Sequence, residues 1–412
     1  MKEKIMNDAF TTMDLFRTEA HEEITWDLIH MVEHDSELKE LLQTAIDQAY
    51  AMNPNPESNP VTSLETYYEF LDRSCRAMPW AIHPVGKHVR LYDQIDQSMG
   101  CFYFIADQPL AALKDRGYYY NCLTYHEPFR SWLNRYIGIY GFWLSTPESW
   151  CDEYLENARK NPDFNLDDGL YEDPSNWHTF NDFFARRLSS PDLRPISAPD
   201  DDSVMVSPAD AAPQGVWQID EHSRIIVPDG DNDAGVGIKT AVLKDVSALL
   251  GKSVYKDAFA GGTLTHTFLD VNNYHRYHFP FGGTIKEVFA IPAADAPGGV
   301  ITWNKAANKY QQYHTDDFGW QTIETRAVIT MELVGGGLAA IVPVGMCQVS
   351  SVNFEPEVVP GAVVKKGDPM GYFLFGGSDI VMMFTRDNEF TLTAETGGML
   401  PMGCAYGRIT KK

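Results

Sequence analysis

The sequence predicts an α+β protein, with a helical N-terminal domain followed by a β-rich domain that contains a lipoyl/biotinyl-like sandwich element. Three observations predict it. Apolar residues recur at helical spacing through the first 150 residues. From Pro195 onward, glycines, prolines and β-branched residues recur at short intervals, as in packed short strands. Finally, Gly361-Ala-Val-Val-Lys-Lys-Gly-Asp-Pro-Met-Gly371 has the turn-strand-turn pattern of such sandwiches. Its lysines stand in a polar turn before a strand, which argues against lipoyl attachment. The main boundary falls near residue 190, giving a helical domain over 1–150, a linker with a short helix over 151–194, and a β-rich domain over 195–412.

Segment 12–50 carries apolar residues at helical spacing among many charges, with Met13, Leu15, Phe16, Ile24, Leu28 and Ile29 as core positions. Asn53-Pro-Asn-Pro-Glu-Ser-Asn-Pro60 breaks that helix, because each proline removes a donor and restrains its predecessor. A new helix follows from Ser63, a residue suited to an N-cap. His126 to Leu144 forms another, ended by Ser145-Thr-Pro147, and Thr179 to Leu188 a short one. No internal repeat or low-complexity tract interrupts the chain.

Composition excludes some function classes. The 412 residues are 44% apolar and 12% aromatic, so the chain folds around one large core or two ordinary ones. The formal net charge of −24 disfavours nucleic-acid phosphates and anionic lipid surfaces as partners. The first residues lack the apolar stretch of a secretory signal. The longest apolar run of the helical half, Tyr136 to Leu144, is far short of the ~20 residues that span a bilayer. Six scattered cysteines without a Cys-x-x-Cys pair read as reduced thiols. A soluble, cytoplasmic protein is expected, with a homo-oligomer compatible.

Several motifs resemble sites without completing one. His30 and His34 have ligand spacing, but the Glu that would follow the first His of a metalloprotease helix is absent. Asp163–Asp168 and Asp229–Asp233 start like calcium loops, yet their sixth positions are Asp168 and Ala234 where glycine is required. No metal is predicted. Glycines at 298–299 and 335–337 lack a P-loop lysine, and no Gly-x-Ser-x-Gly elbow surrounds Ser378.

Three segments form a stronger set. Val206-Ser-Pro-Ala-Asp210 offers a carboxylate after a proline turn. Tyr274-His275-Arg-Tyr-His278 supplies two imidazoles, which face different sides if the segment is extended. Phe375-Gly-Gly377-Ser378 supplies a hydroxyl behind two glycines, where the backbone can be approached closely. Asp, His and Ser are the parts of a base-activated nucleophile. Each alone is more often structural: a capping Asp, a core His, a turn Ser.

The ordered set resembles the phosphatidylserine decarboxylase family. The resemblance is carried by Phe180-Asn-Asp-Phe-Phe-Ala-Arg-Arg-Leu188 with Arg194-Pro195, Ser207-Pro-Ala-Asp210, Tyr274-His-Arg-Tyr-His278 and Lys366-Gly-Asp-x-x-Gly-x-Phe-x-Phe-Gly-Gly-Ser378. It covers roughly residues 177–395. Two departures stand out: the family's Leu-Gly-Ser-Thr is Phe-Gly-Gly-Ser-Asp here, and Ala211 replaces a glycine. The helical extension, Ile139-Tyr-Gly-Phe-Trp-Leu-Ser145 and Phe-Gly-Gly-Ser also look like the branch of soluble L-tryptophan decarboxylases.

The resemblance implies self-cleavage between Gly377 and Ser378. His278, oriented by Asp210, would be the base, and Ser378 the precursor of a pyruvoyl cofactor. The cofactor would form a Schiff base with the substrate amine without pyridoxal phosphate or metal, and His275 would be the proton donor in decarboxylation. The charge and the branch resemblance favour a free L-amino acid, aromatic such as tryptophan, as substrate. Phosphatidylserine, reached by peripheral membrane docking, is the alternative. An unprocessed, non-catalytic binding module and a serine hydrolase built on Asp210, His278 and Ser378 are the readings from other classes.

Overall fold

The computed structural model describes residues 21–83, 90–114, 116, 119–226, 245–313, 319–348 and 351–412. Met13, Leu15, Phe16 and the Asp229–Asp233 segment lie outside the described residues.

The α+β expectation holds. The segment read as one helix up to residue 50 is two, α1 (Glu23–His34) and α2 (Ser36–Met52), broken at Asp35, whose side chain accepts from the Leu38 N–H and caps α2. Ile24, Leu28 and Ile29 are buried as the periodicity requires. Ser63 caps α3 (Leu64–Ser74) in a reciprocal box with Thr66. Further helices are α4 (Leu91–Phe104), α5 (Phe129–Trp143) and α6 (Asp152–Arg159). The short helix α7 (Phe180–Phe184) stops four residues before Leu188, because Ala185 leaves the helical region and Arg186 turns into the core. A last helix, α8 (Val246–Leu250), lies between strands.

Sixteen strands are described: β1 (Val204–Val206), β2 (Ala212–Ile219), β3 (Ile225–Ile226), β4 (Thr263–Leu269), β5 (Arg276–His278), β6 (Gly283–Ile291), β7 (Val300–Asn304), β8 (Lys309–Tyr313), β9 (Arg326–Leu333), β10 (Leu338–Met346), β11 (Val352–Phe354), β12 (Val363–Val364), β13 (Pro369–Phe373), β14 (Gly377–Phe384), β15 (Asn388–Leu392) and β16 (Ala405–Lys411). Eight form an antiparallel sheet in the order β12-β6-β9-β10-β14-β4-β2-β3. Two three-stranded sheets, β1-β16-β15 and β11-β13-β5, and the β7–β8 hairpin complete the set. Strand β14 is buried at every residue, with β10 and β4 on its two edges. That position suits its apolar run Ile380–Phe384, which reads as a central strand.

The helices share a core with the strands. Ile301, Trp303 and Tyr310 of the hairpin pack among residues of α1–α5. Polar clamps fix the register: the Gln97 amide donates to the Tyr310 carbonyl at 3.0 Å and accepts from its N–H at 2.7 Å. The Asp107 carboxylate takes the Ile301 N–H at 2.7 Å, and the Tyr103 hydroxyl donates to the Asp295 carbonyl at 2.8 Å. Burial without a cation nearby pushes the Asp107 carboxyl up to about 7.

The turn between β12 and β13 holds a buried ammonium. Lys366 Nζ donates to the carbonyls of Ala198, Asp201 and Val204 at 2.6, 2.8 and 2.8 Å. All three donors are used, so this lysine is a strut between the turn and the chain before β1. Lys366→Met leaves those carbonyls without the ammonium, and should lower unfolding free energy by about 2 kcal/mol in chemical denaturation.

Candidate active site

Gly377 and Ser378 open β14. Gly376 has φ +143°, which L side chains rarely adopt, and a Cβ on Gly377 would stand 3.0 Å from Met346 Cγ. Across the strand pair, Cys347 and Gln348 follow Met346 with φ +53° and +64°, unusual for residues with side chains. The backbone around the Gly377–Ser378 bond is thus held by irregular geometry on both strands. Ser378 is fully buried opposite Gly345 and Leu269, and its Oγ has no hydrogen-bond partner among the described residues.

The two imidazoles stand in different environments, as the spacing anticipated. His275, just before β5, is fully buried, with its ring stacked on Phe184 at 3.9 Å between centroids. Its Nδ1 faces the Asn273 carbonyl at 3.0 Å, so Nδ1 carries the proton and Nε2 a free lone pair. Nε2 is also buried without a partner among the described residues. Burial, with help from the Arg186 charge, pushes this histidine down to about 3. The ring is therefore neutral at pH 7.

His278 ends β5 and is half-buried beside a cavity of about 400 Å³ lined by Arg187, Arg194, Tyr274, Arg276 and Glu355. Its Nδ1 faces the Gly367 carbonyl at 3.0 Å, and its Nε2 lies 3.1 Å from the Tyr274 hydroxyl. Burial, helped by the Arg276 charge, lowers its proton affinity, and the Gly367 carbonyl, then the charges of Asp210 and Glu355, oppose that shift.

Asp210 is not hydrogen-bonded to His278 among the described contacts. Its carboxylate sits in the fork of Arg194, which donates from Nε at 3.1 Å and from Nη2 at 2.7 Å, and it accepts the Met402 N–H at 2.8 Å. The Asp210 carbonyl takes the Asn273 amide at 2.9 Å, tying the carboxylate loop to the histidine segment.

Sequence reasoning left other site residues without a role. Fully buried Arg186 donates to the Asn272 carbonyl at 2.8 Å and lies 4.3 Å from the Tyr171 ring centroid, fixing the turn before His275. The Asn181 side chain accepts from the Phe375 N–H at 3.1 Å and donates to Ser145 Oγ at 2.9 Å. One amide thereby joins the helical layer to the segment before Ser378. Rings of Phe180, Phe184 and Tyr140 surround Phe375 at 5.4, 5.4 and 6.3 Å. Arg186, Arg194 and Asn181 lie in or beside the motifs quoted above, but linear spacing carries no sign of their partners.

Among the described residues, no group of three or more His, Cys, Asp or Glu side chains could hold a metal ion, and no helix is long and apolar enough to cross a membrane. His34 Nδ1 bonds to the His30 carbonyl at 2.7 Å, and Asp163 pairs with Arg90 at 3.1 Å.

Fold and site together define an α+β protein with a buried serine at the start of a central strand and two histidines on a segment paired with β13, the strand that precedes that central one. The family model described as phosphatidylserine decarboxylase matches residues 180–408, over half the chain, and the chain belongs to that family. It is 32% identical over 249 residues to phosphatidylserine decarboxylase proenzyme 2 of Oryza sativa subsp. japonica, covering 59% of this chain and 35% of the rice protein. It is 32% identical over 206 residues to proenzyme 3 of Schizosaccharomyces pombe, covering 50% of this chain and 19% of that one. With the proenzyme of Vibrio parahaemolyticus it shares 25% over 250 residues, covering 59% and 82%. The chain thus aligns with about a third and a fifth of the rice and yeast proteins.

A histidine held neutral in the fold takes up a proton only on unfolding between pH 3 and its ordinary value near 6.5. The unfolded chain therefore binds more protons in that window, and stability must fall as pH drops through it. His275→Gln should remove up to about 1.4 kcal/mol per pH unit of that slope, read from denaturation midpoints between pH 4 and 6.

Proposed function

We propose that this protein is a self-processing, pyruvoyl-dependent decarboxylase. The observation that carries the reading is that Ser378 Oγ and His275 Nε2, two of the nine buried polar atoms without a partner among the described residues, both stand in the motifs of the matched region. A buried polar group without a partner costs about 1–3 kcal/mol, and such a cost persists where function uses the group.

Processing uses the chain's own atoms. His278 accepts the Ser378 hydroxyl proton, with Asp210 favouring the protonated ring through its charge. Ser378 Oγ bonds to the Gly377 carbonyl carbon as the C–N bond breaks, the amide nitrogen gaining a proton, and an ester results. Loss of the Ser378 α-proton then expels the Gly377 carboxylate and leaves dehydroalanine. Water replaces its nitrogen, releasing ammonia and leaving a pyruvoyl group at the head of a 35-residue chain. That short chain contains β14, β15 and β16, whose pairing with β10, β4 and β1 keeps it bound after the cut.

The pyruvoyl ketone supplies an electron sink for an α-amino carboxylate losing CO2. His275, neutral with a lone pair on Nε2, takes a proton from the substrate ammonium and returns it to the carbon that CO2 has left. Residues 195–412 hold the reacting groups, 151–194 support them through Asn181, Phe184, Arg186 and Arg194, and the helices of 1–150 add Tyr140 beside Phe375.

The names of the relatives support phosphatidylserine as substrate. A free aromatic L-amino acid is the second reading. The helical layer supports it, because Tyr140 meets Phe375 close to Ser378 and lies before residue 180, where the family match begins. The net charge of −24 also opposes docking on anionic lipid.

Denaturing mass spectrometry should find the 35-residue pyruvoyl peptide, and Ser378→Ala should abolish it; an intact wild-type chain would sink the proposal. His275→Ala should still cut itself yet lose about 100-fold or more in CO2 release. Assays on phosphatidylserine micelles and on free L-amino acids decide the substrate: CO2 from the amino acids alone replaces the lipid reading.

A further inference from the structure

The aspartate after Ser378 is one of the two departures from the family's sequence pattern, and the processing chemistry does not use it. Asp379 is fully buried. Its Oδ2 lies 2.9 Å and its Oδ1 3.2 Å from His266 Nδ1, and Gln321 Nε2 donates to Oδ2 at 3.2 Å. The His266 ring stacks against Trp217 of β2, 5.1 Å between centroids. A polar cluster of Asp379 on β14, His266 on β4 and Gln321 thus lies inside an apolar sheet, covered by Trp217 of β2.

Register places this cluster. Asp379 stands opposite Phe268, and His266 is two residues along the same strand. Alternation puts Asp379, Phe268 and His266 on one face and Ser378 with Leu269 on the other. Burying two ionisable groups costs several kcal/mol per ion before pairing offsets it, and apolar side chains fill sheet interiors without that cost. Sheet packing alone gives no reason for a carboxylate–imidazole pair here.

The reason arises when the chain is cut. While Gly377–Ser378 is intact, residue 378 is held from both sides; after the cut it is a chain end, and chain ends fray. Asp379 then becomes the second residue of the new chain, one Cα step of ~3.8 Å from the pyruvoyl carbon framework. We propose that the Asp379–His266 pair, steadied by Gln321 and Trp217, is a positioning device that anchors the pyruvoyl-bearing terminus. It grips from the face opposite the Ser378 side chain, so it holds the terminus without occupying that side. This inference rests on the self-processing reading.

The test is hydrogen exchange of the 378–384 peptide, compared between Asp379→Asn in the self-cleaving chain and Asp379→Asn combined with Ser378→Ala, which stays uncut. Anchoring predicts exchange about tenfold faster in the cut chain and within about twofold of the control in the uncut one. The 35-residue peptide should form in full yield, while kcat falls about tenfold and KM stays within about threefold. Asp379→Asn/His266→Gln places two neutral amides at the same positions and should give the same contrast if the single variant misfolds. Equal acceleration in both backgrounds, none in either, or failure of both variants to fold makes the pair purely structural and overturns the proposal. A wild-type chain of uncut mass also overturns it, and shows that the processing reading is what failed.

Discussion

Strand β14 is the constraint from which the site follows. It is hydrogen-bonded on both edges, buried along its whole length, and begins at Gly377 and Ser378. A central strand has no freedom to shift, because a one-residue slip would reverse the facing of every side chain. The serine is therefore fixed to within the tolerance of the sheet. The irregularities nearby, Gly376 before it and Cys347–Gln348 across from it, fall where the regular ladder ends.

Around that strand the molecule spends buried polarity in two ways. Some groups are paired and act as struts, among them Lys366 in its three carbonyls and Asp210 in the Arg194 fork, and Arg186 holds the 272–273 turn through its Nη2 while its Nε has no partner among the described residues. Nine buried side-chain polar atoms among the described residues are left open, and two of them, Ser378 Oγ and His275 Nε2, belong to the site motifs. Satisfied networks rigidify, whereas orphaned groups in a rigid frame are poised for an incoming partner. The helical layer adds to the frame through Asn181 and the rings around Phe375, so the helices belong to the site and not only to the periphery.

Much of this was legible in the chain. The Ser63 cap, the buried face of α1, the β-rich character after residue 195 and the differing surroundings of His275 and His278 all follow from local rules of capping and periodicity. The break at Asp35 and the early end of α7 did not, because a cap competing within a helical pattern has no periodic signature. The Arg194 fork around Asp210 was not legible either: the resemblance implied only a role toward His278, whereas a bidentate guanidinium is a strong partner for a carboxylate and only the fold brings Arg194 to it.

The sequence by itself determined the family, because the motifs from Phe180 to Ser378 stand in one ordered pattern inside the matched region. Only the tertiary structure decided the state of the groups they carry. The neutrality of His275 comes from complete burial and the Arg186 charge, which no local window contains. The Asp379–His266 contact joins residues 113 positions apart, and only strand register can bring them within 3 Å. Chemical identity is local to a residue; solvation and partnership are properties of the fold.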